Sequence, residues 1–507
     1  MDSNKRVLMI IMDGWGLGLP WGGNTIYNVA PPFVSSLWQK TPNTKLRASG
    51  MDVGLLPQTA GNSEAGHLNL GSGRVVGQDL SWITHQIDTG EFFRNQVLNG
   101  IFASAKNTGR PVHIVGLLSD GGIHAQIDHM YALLELAAKF KPLKVYFHVF
   151  GDGRDTEPHR IIVLLERLQK YIDKYGLGEV VSIVGRYYAM DRDRNFDRTK
   201  VAYDLLVKAA GDPVDDWNKS IQKQYDAGKT DEYLPAMLKT AGAKESRIKN
   251  GDFVIITNYR ADRIWQLEAA LHEPDFAAFP HETLQLAAMV SFVPIETAPN
   301  LQSAMTPPPV KNCLGDIVAA SGINQLRVAE SEKGAHVTYF FNGGKKGQAA
   351  GEYHNIVPSP KEDYAQVPEM SAYKLYEIVN GALGQNYNFI LLNLANPDMV
   401  GHTGNMEAGK KAVKVVDGIV GRLSQTASAR GFTTIVTADH GNIDEMVIPY
   451  SGEPSTDHSN NLVPFFLIGR GGKLKSDGRL CDVAPTILHL LDLPKPAEMT
   501  GQSLIAS

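Results

Sequence analysis

The sequence predicts an α/β fold with mostly parallel sheets, arranged as two domains, one inserted into the other. Three observations point there. Short, unbroken apolar runs recur along the 507 residues. Segments with helical spacing lie between them. Two breaker-rich stretches, "GSGRVVG" (71–77) and "MTPPPV" (305–310), bracket the middle of the chain.

The runs are "VLMII" (7–11), "VHIVGLL" (112–118), "KVYFHVF" (144–150), "VVSIV" (180–184), "FVIIT" (253–257), "FILLNL" (389–394) and "TTIVT" (433–437). A strand covered on both faces reads as continuous apolar sequence rather than as alternation, which is the habit of parallel sheets. Residues 130–140 and 160–171 have helical spacing, and alternation of strand with helix is the α/β pattern. Three consecutive prolines in "MTPPPV" make a stiff, extended connector. With "GSGRVVG" as the other hinge, residues 77–309 form the inserted domain, and 1–76 fold together with 310–507.

At 43% apolar and 20% charged, the composition is that of a globular chain and not of a disordered one. A net charge of −5 gives no sign of a nucleic-acid binder, so any anion site must be a local cluster. Two cysteines, Cys313 and Cys481, cannot build a disulfide framework, and they point to a reducing, cytoplasmic compartment. The first apolar run stops at Asp13, too short for a signal-peptide core or a membrane span, so no membrane partner is expected.

Ligands of open α/β sheets bind beyond the carboxyl ends of the strands. Three strands of the flanking domain run into acidic motifs there: "IIMDGWG" with Asp13, "LLNLANPDMVGH" with Asp398 and His402, and "IVTADHGN" with Asp439 and His440. His458 follows in "STDHSNN". An aspartate after a strand is often only a cap or turn residue, but four such motifs together supply three carboxylates and three imidazoles. That set suits two divalent metals, and mixed oxygen and nitrogen donors favour manganese or zinc over magnesium. Asp398 and His402, four apart, share a face if that turn is helical.

The stretch "AGNSEAGH" (60–67) crowds Ser63 between glycines, Glu64 and His67. Ser63 suits a helix N-cap. It also suits a nucleophile, and with no G-x-S-x-G elbow around it, metal activation is the better source of its reactivity. In the inserted segment, arginines gather behind the strands: Arg154 with Asp155 in "GDGRDTEPHR", Arg186 and Arg192 in "GRYYAMDRDRNFDR", and Arg260 and Arg263 in "TNYRADR". His124 stands in "SDGGIHAQ". Guanidinium forks bind carboxylate and phosphate, so the cluster predicts a small, highly anionic substrate. The alternating "DRDRNFDR" also reads as surface ion pairing.

Taken with "GNSEAGHLNLGSGR", "SDGGIHAQIDH", "NYRADR", "EKGAHVTYFFNGG", "PEMSAY" and "NPDMVGHTGN", these motifs resemble cofactor-independent phosphoglycerate mutase, nearly end to end and in the family's order. That family belongs to the alkaline-phosphatase-like superfamily. The resemblance implies an alkaline-phosphatase-like domain and an inserted phosphotransferase domain that binds substrate. It implies interconversion of 3-phosphoglycerate and 2-phosphoglycerate, in glycolysis and gluconeogenesis, through a phosphoserine and without bisphosphoglycerate. By the family pattern, one metal takes Asp398, His402 and His458, and the other takes Asp13, Ser63, Asp439 and His440. Manganese is expected first, with zinc, cobalt and magnesium as alternatives. Substrate contacts are expected from His124, Arg154, Asp155, Arg186, Arg192, Arg260, Arg263 and Lys333, with Ser63 as nucleophile and Asp155 as general acid–base. A monomer without nucleic-acid or membrane partners is expected. Gln126 departs from the pattern, since many members carry a second histidine there. The rival readings are a metallophosphatase, a phosphopentomutase and a phosphoglycerate-binding protein without turnover.

Overall fold

The structure, a computed structural model, describes residues 5–141, 143–295 and 301–506. The chain divides into two compact units, residues 1–78 with 309–507, and residues 79–308. It opens in the first unit with β1 (Arg6–Met12) and β2 (Asn43–Arg47). The second unit carries β3 (Val112–Leu118), β4 (Val145–Gly151), β5 (Glu179–Gly185), β6 (Asp212–Val214), β7 (Met237–Lys239), β8 (Phe253–Ile256), β9 (Ala288–Ser291) and β10 (Gln302–Ser303). Back in the first unit are β11 (Gln325–Glu330), β12 (Glu352–Val357), β13 (Phe389–Leu394), β14 (Phe432–Thr437), β15 (Val463–Ile468) and β16 (Gly478–Arg479).

The first unit is built on one sheet of order β12-β11-β13-β1-β14-β15-β2-β16. From β12 to β14 every pair is parallel. β15 runs antiparallel to both β14 and β2. Its direction follows from its connection: residues 438–462 hold no helix to carry the chain back for a parallel return. β1 lies between two neighbours, and Val7 to Met12 are fully buried, which explains the unbroken apolar run. Helix Met406–Ala429 covers the sheet with Ala412, Val413, Val416, Ile419, Val420 and Leu423. Each such aliphatic side chain contributes about 1.5–3 kcal/mol by leaving water.

Register places the chemistry. Met12 pairs with Leu394 and Ile11 with Thr437, so Asp13, the turn after β13 and the turn after β14 all emerge at one sheet edge. Gly14 makes that approach possible: its φ is +74°, and an added Cβ would sit 2.8 Å from Asp398 Cα.

The second unit is built on a sheet of order β10-β9-β8-β3-β4-β5-β7-β6, in which β5 and β7 form the antiparallel pair. Leu118 pairs with Gly151, and Gly151 with Gly185. Residues after β3, β4 and β5 therefore share an edge. The segments of helical spacing are helices Ile127–Ala138 and Ile161–Tyr175. Both cysteines are free and buried. No helix among the described residues is long and apolar enough to cross a membrane.

Four buried imidazoles in this unit set its acid stability. His113, His124, His129 and His148 are at most 5% exposed. Burial lowers His129 to about 3 and, helped by Arg186, His124 to about 4. It also lowers His113 and His148, although Asp252 pulls His113 back up. An unfolded chain protonates these rings near pH 6.5, while the folded unit keeps them neutral. The unfolded state then binds more protons, so stability falls as pH drops below about 6.5 and keeps falling until pH passes the folded values. His129 alone contributes roughly 5 kcal/mol of that loss once pH has passed its folded value. Chelator-treated protein should melt at a markedly lower temperature at pH 5 than at pH 7, and His129→Phe should flatten the slope. Equal melting temperatures at the two pH values would contradict this account.

Candidate active site

In the first unit, Ser63 opens helix Ser63–Ser72 but does not cap it. The cap is Asn62, whose side-chain oxygen accepts from the Ala65 N–H at 2.8 Å. The N-cap reading of Ser63 is thereby corrected by one residue, and its hydroxyl is left for other partners. Ser63 Oγ lies 3.2 Å from Asp13 Oδ1, 2.9 Å from His440 Nε2 and 2.7 Å from Lys333 Nζ. Glu64 faces solvent in the first turn, where a negative charge suits the helix N-terminus.

Lys333 sits in the short helix Ser331–Ala335 that follows β11. Its ammonium also donates to Asp13 Oδ1 at 2.8 Å and to Asp398 Oδ2 at 2.6 Å. Asp13 and Asp439 are 0% exposed and Asp398 is 2% exposed. Burial, then the neighbouring Asp439, raises Asp13 above the usual carboxylate range. For Asp398 burial acts the same way but is overcome by Lys333 and the imidazoles, which hold it well below that range. Burial would lower the Lys333 ammonium, yet the three carboxylates raise it instead.

The imidazoles are oriented by backbone carbonyls. His402 Nδ1 meets Thr456 O, and His458 Nδ1 meets Gly61 O, each at 2.7 Å. With the ring protons on Nδ1, both Nε2 atoms present lone pairs. They lie 3.0 Å from each other and 3.3 and 3.2 Å from Asp398 Oδ1. Two lone pairs and an anionic oxygen in such proximity form a donor set for a cation. Helix Asn396–Gly401, with His402 as its helical C-cap, puts Asp398 and His402 on one face. Nearby, His440 Nε2 lies 3.5 Å from both Asp13 Oδ1 and Asp439 Oδ2, and Asp439 Oδ2 has no hydrogen-bond partner despite full burial. Ligand atoms of Asp398, His402 and His458, and those of Asp13, Asp398 and His440, fall within 4.8 Å of one another. Buried carboxylates outnumbering their ammonium, with Nε2 atoms aimed among them, fit divalent cations.

Three further side chains brace this cluster. His67, one helical turn after Ser63, directs Nδ1 to Ser63 O at 2.9 Å and lies 3.2 Å from Asp439 Oδ2. Its Nε2 is 3.0 Å from the Asn393 amide nitrogen, which also donates to Asp13 Oδ2 at 2.7 Å. Asn442 donates to Asp398 Oδ1 at 2.9 Å. A trace of this was present in the sequence: Asn393 is the one polar residue inside "FILLNL", and a buried strand tolerates an amide only where it is bonded.

The second unit gathers the other predicted residues behind β3, β4, β5 and β8. Arg186 is buried and reaches Asp152 Oδ1 at 2.7 Å and Asp155 Oδ2 at 2.5 Å. Asp152 accepts from the Ser119 hydroxyl at 2.6 Å and from the Arg154 and Asp155 amides at 3.2 and 3.0 Å, so it shapes the loop that carries both. Arg154 pairs with Glu232 at 2.6 Å. Arg192, Arg260 and His124 surround Asp262 at 3.3, 3.8 and 3.7 Å. Arg263 is lowered by burial and then by the like charges of Arg192, Arg186 and Arg154. Lys333 does not join this group; it stands with Ser63 in the first unit. Gln126 bonds Asp128 at 3.1 Å.

Residues 83–294 match the family described as BPG-independent PGAM N-terminus, and residues 337–448 match Type I phosphodiesterase / nucleotide pyrophosphatase. A 2,3-bisphosphoglycerate-independent phosphoglycerate mutase of Clostridium botulinum is 42% identical, covering 99% of this chain and 100% of its own length. One from Clostridioides difficile is 43% identical over 99% of each. Among solved structures, a Leishmania mexicana phosphoglycerate mutase at low cobalt concentration aligns with a TM-score of 0.69 at 28% identity, covering 99% of this chain and 98% of that one. The two clusters thus sit in a full-length sequence match and a full-length structural match: the chain belongs to the 2,3-bisphosphoglycerate-independent phosphoglycerate mutases.

Proposed function

We propose that this mutase interconverts 3-phosphoglycerate and 2-phosphoglycerate through a phosphoserine on Ser63. The observation that carries the reading is the convergence of Lys333, Asp13 and His440 on the Ser63 hydroxyl. Two divalent cations, manganese before zinc, cobalt or magnesium, would be held by Asp398, His402 and His458 and by Asp13, Ser63, Asp439 and His440, and when bound they supply a Lewis acid that activates the hydroxyl and neutralises phosphoryl charge.

The chain's own groups do the rest. A bond forms between Ser63 Oγ and phosphorus as the bond from phosphorus to the glycerate oxygen breaks; the Ser63 hydroxyl gives up its proton to solvent before the attack and regains one after the reverse transfer. Lys333, 2.7 Å from Ser63 Oγ, places a fixed positive charge where negative charge gathers. Asp155 gives a proton to the departing glycerate oxygen and takes one from the other hydroxyl before the reverse transfer. The arginines hold the glycerate carboxylate, so the second transfer is effectively intramolecular and outruns water. That retention separates a mutase from the metallophosphatase reading.

Conversion of 3-phosphoglycerate without added bisphosphoglycerate should be abolished by chelation and restored by manganese. Asp398 raises His402 and, against burial, His458 above the ordinary imidazole value of about 6.5, so protons compete with metal for these two ligands as pH falls. Activity should fall steeply below neutrality, with part recovered by excess manganese. Chelator-insensitive turnover, or a flat profile into mild acid, would refute the reading.

A further inference from the structure

We infer that Asp262 is a resident anion of the arginine cluster, a carboxylate that the substrate's own anionic group displaces on binding. The inference rests on the reading that these arginines hold the glycerate carboxylate. Arg154 has Glu232, and Arg186 has Asp152 and Asp155. Asp262 serves Arg192 and Arg260 and faces His124: Oδ2 is 3.3 Å from Arg192 Nη1, and Oδ1 is 3.8 Å from Arg260 Nε and 3.7 Å from His124 Nδ1. Arg192 also approaches Asp193, at 4.0 Å.

The Asp262 contacts are loose. Only the Arg192 contact is a hydrogen bond, and the Asp262 side chain is 38% exposed, so it can swing into water without breaking a buried network. By contrast, two buried groups of the same cluster lack a partner. His124 Nδ1 and Arg186 Nη2 make no hydrogen bond although neither is reached by solvent. A ligand oxygen could satisfy them where Asp262 does not. Asp262 also lies between Arg260 and Arg263 in sequence, within the turn Ala261–Arg263, so a carboxylate is built into the segment that presents two of the cations.

A resident carboxylate has a definite consequence. It lowers the positive potential that would otherwise collect any passing anion. It yields to a ligand with several oxygens, which replaces its loose contacts and also reaches the orphaned atoms. A plainer role exists for an acid at this place, since helix Trp265–His272 begins just after it and a negative charge favours a helix N-terminus. The two roles differ in what they predict.

Asp262→Asn keeps shape and removes charge. In the metal-loaded full-length enzyme at fixed ionic strength, the inhibition constants of D-glycerate and of sulfate should each fall about tenfold, about 1.4 kcal/mol of binding, with the melting temperature held. Inhibition constants that stay the same or rise would overturn the inference, and a lower melting temperature with unchanged constants would assign Asp262 to the helix alone. Arg260→Ala is the parallel control: weaker glycerate inhibition there beside unchanged inhibition in Asp262→Asn rejects only the resident anion. Unchanged inhibition in Arg260→Ala rejects the arginine site itself, and the inference with it.

Discussion

Ser63→Ala is expected to fold, to keep its metal sites largely intact and to lose turnover to background. The helix behind Ser63 is capped by Asn62, so deleting the hydroxyl does not uncap it. What is lost is a small, 6% exposed hydroxyl and its bonds to Lys333 and Asp13, a cost of about 1–3 kcal/mol against a typical stability of about 5–15. Alanine fits the space without a clash. The chemistry has no such margin. Loss of a covalent nucleophile typically costs on the order of 10⁴–10⁶ in kcat. The checks are the turnover rate and mass spectrometry of enzyme quenched during turnover. A phosphorylated Ser63 peptide is expected from the parent protein and none from the variant. Mutase activity within tenfold of the parent would rule out the covalent route.

Much of this was legible in the residues, for physical reasons. Buried parallel strands need unbroken apolar runs, so β1, β3, β4, β5, β8, β13 and β14 stood out in the sequence. Strand ends are where ligands bind, so Asp13, Asp398 and Asp439 could be singled out before their register was known. β15 was not singled out, and its antiparallel direction depends on the missing crossover helix rather than on its own residues. The tertiary partners were hidden for a related reason. Glu232, which pairs with Arg154, is an ordinary acid in sequence, and only folding brings the opposite charge to it; Asp262 stands between two arginines in sequence, but its hydrogen bond to Arg192 is made only by folding. His67 was visible but ambiguous, because a histidine four residues after a serine shares its face only once the helix is established. The place of Lys333 beside Ser63 depends on β11 lying two strands from β1, which no local pattern records.

Lys333→Met should separate the electrostatics of the metal-free protein from those of the loaded one. Lys333 is 4% exposed, and its ammonium donates to two carboxylates and to Ser63. Methionine approximates its stem in volume but brings no charge. Without metal, Asp13, Asp398 and Asp439 would then face one another with no ammonium among them, and breaking a buried ion pair in this one-sided way costs about 3–5 kcal/mol. Divalent cations held by the same carboxylates supply the missing positive charge, so the deficit should shrink under saturating manganese. Activity is a separate matter. The charge beside Ser63 Oγ is lost in either condition, and removal of one preorganised stabilising group costs about 10²–10³ in kcat. The expected result is a large fall in melting temperature in chelator, a small one in manganese, and low turnover even at saturating metal. An equal fall in both conditions would show that Lys333 acts through packing. Full turnover in manganese would show that its charge plays no part in the transfer.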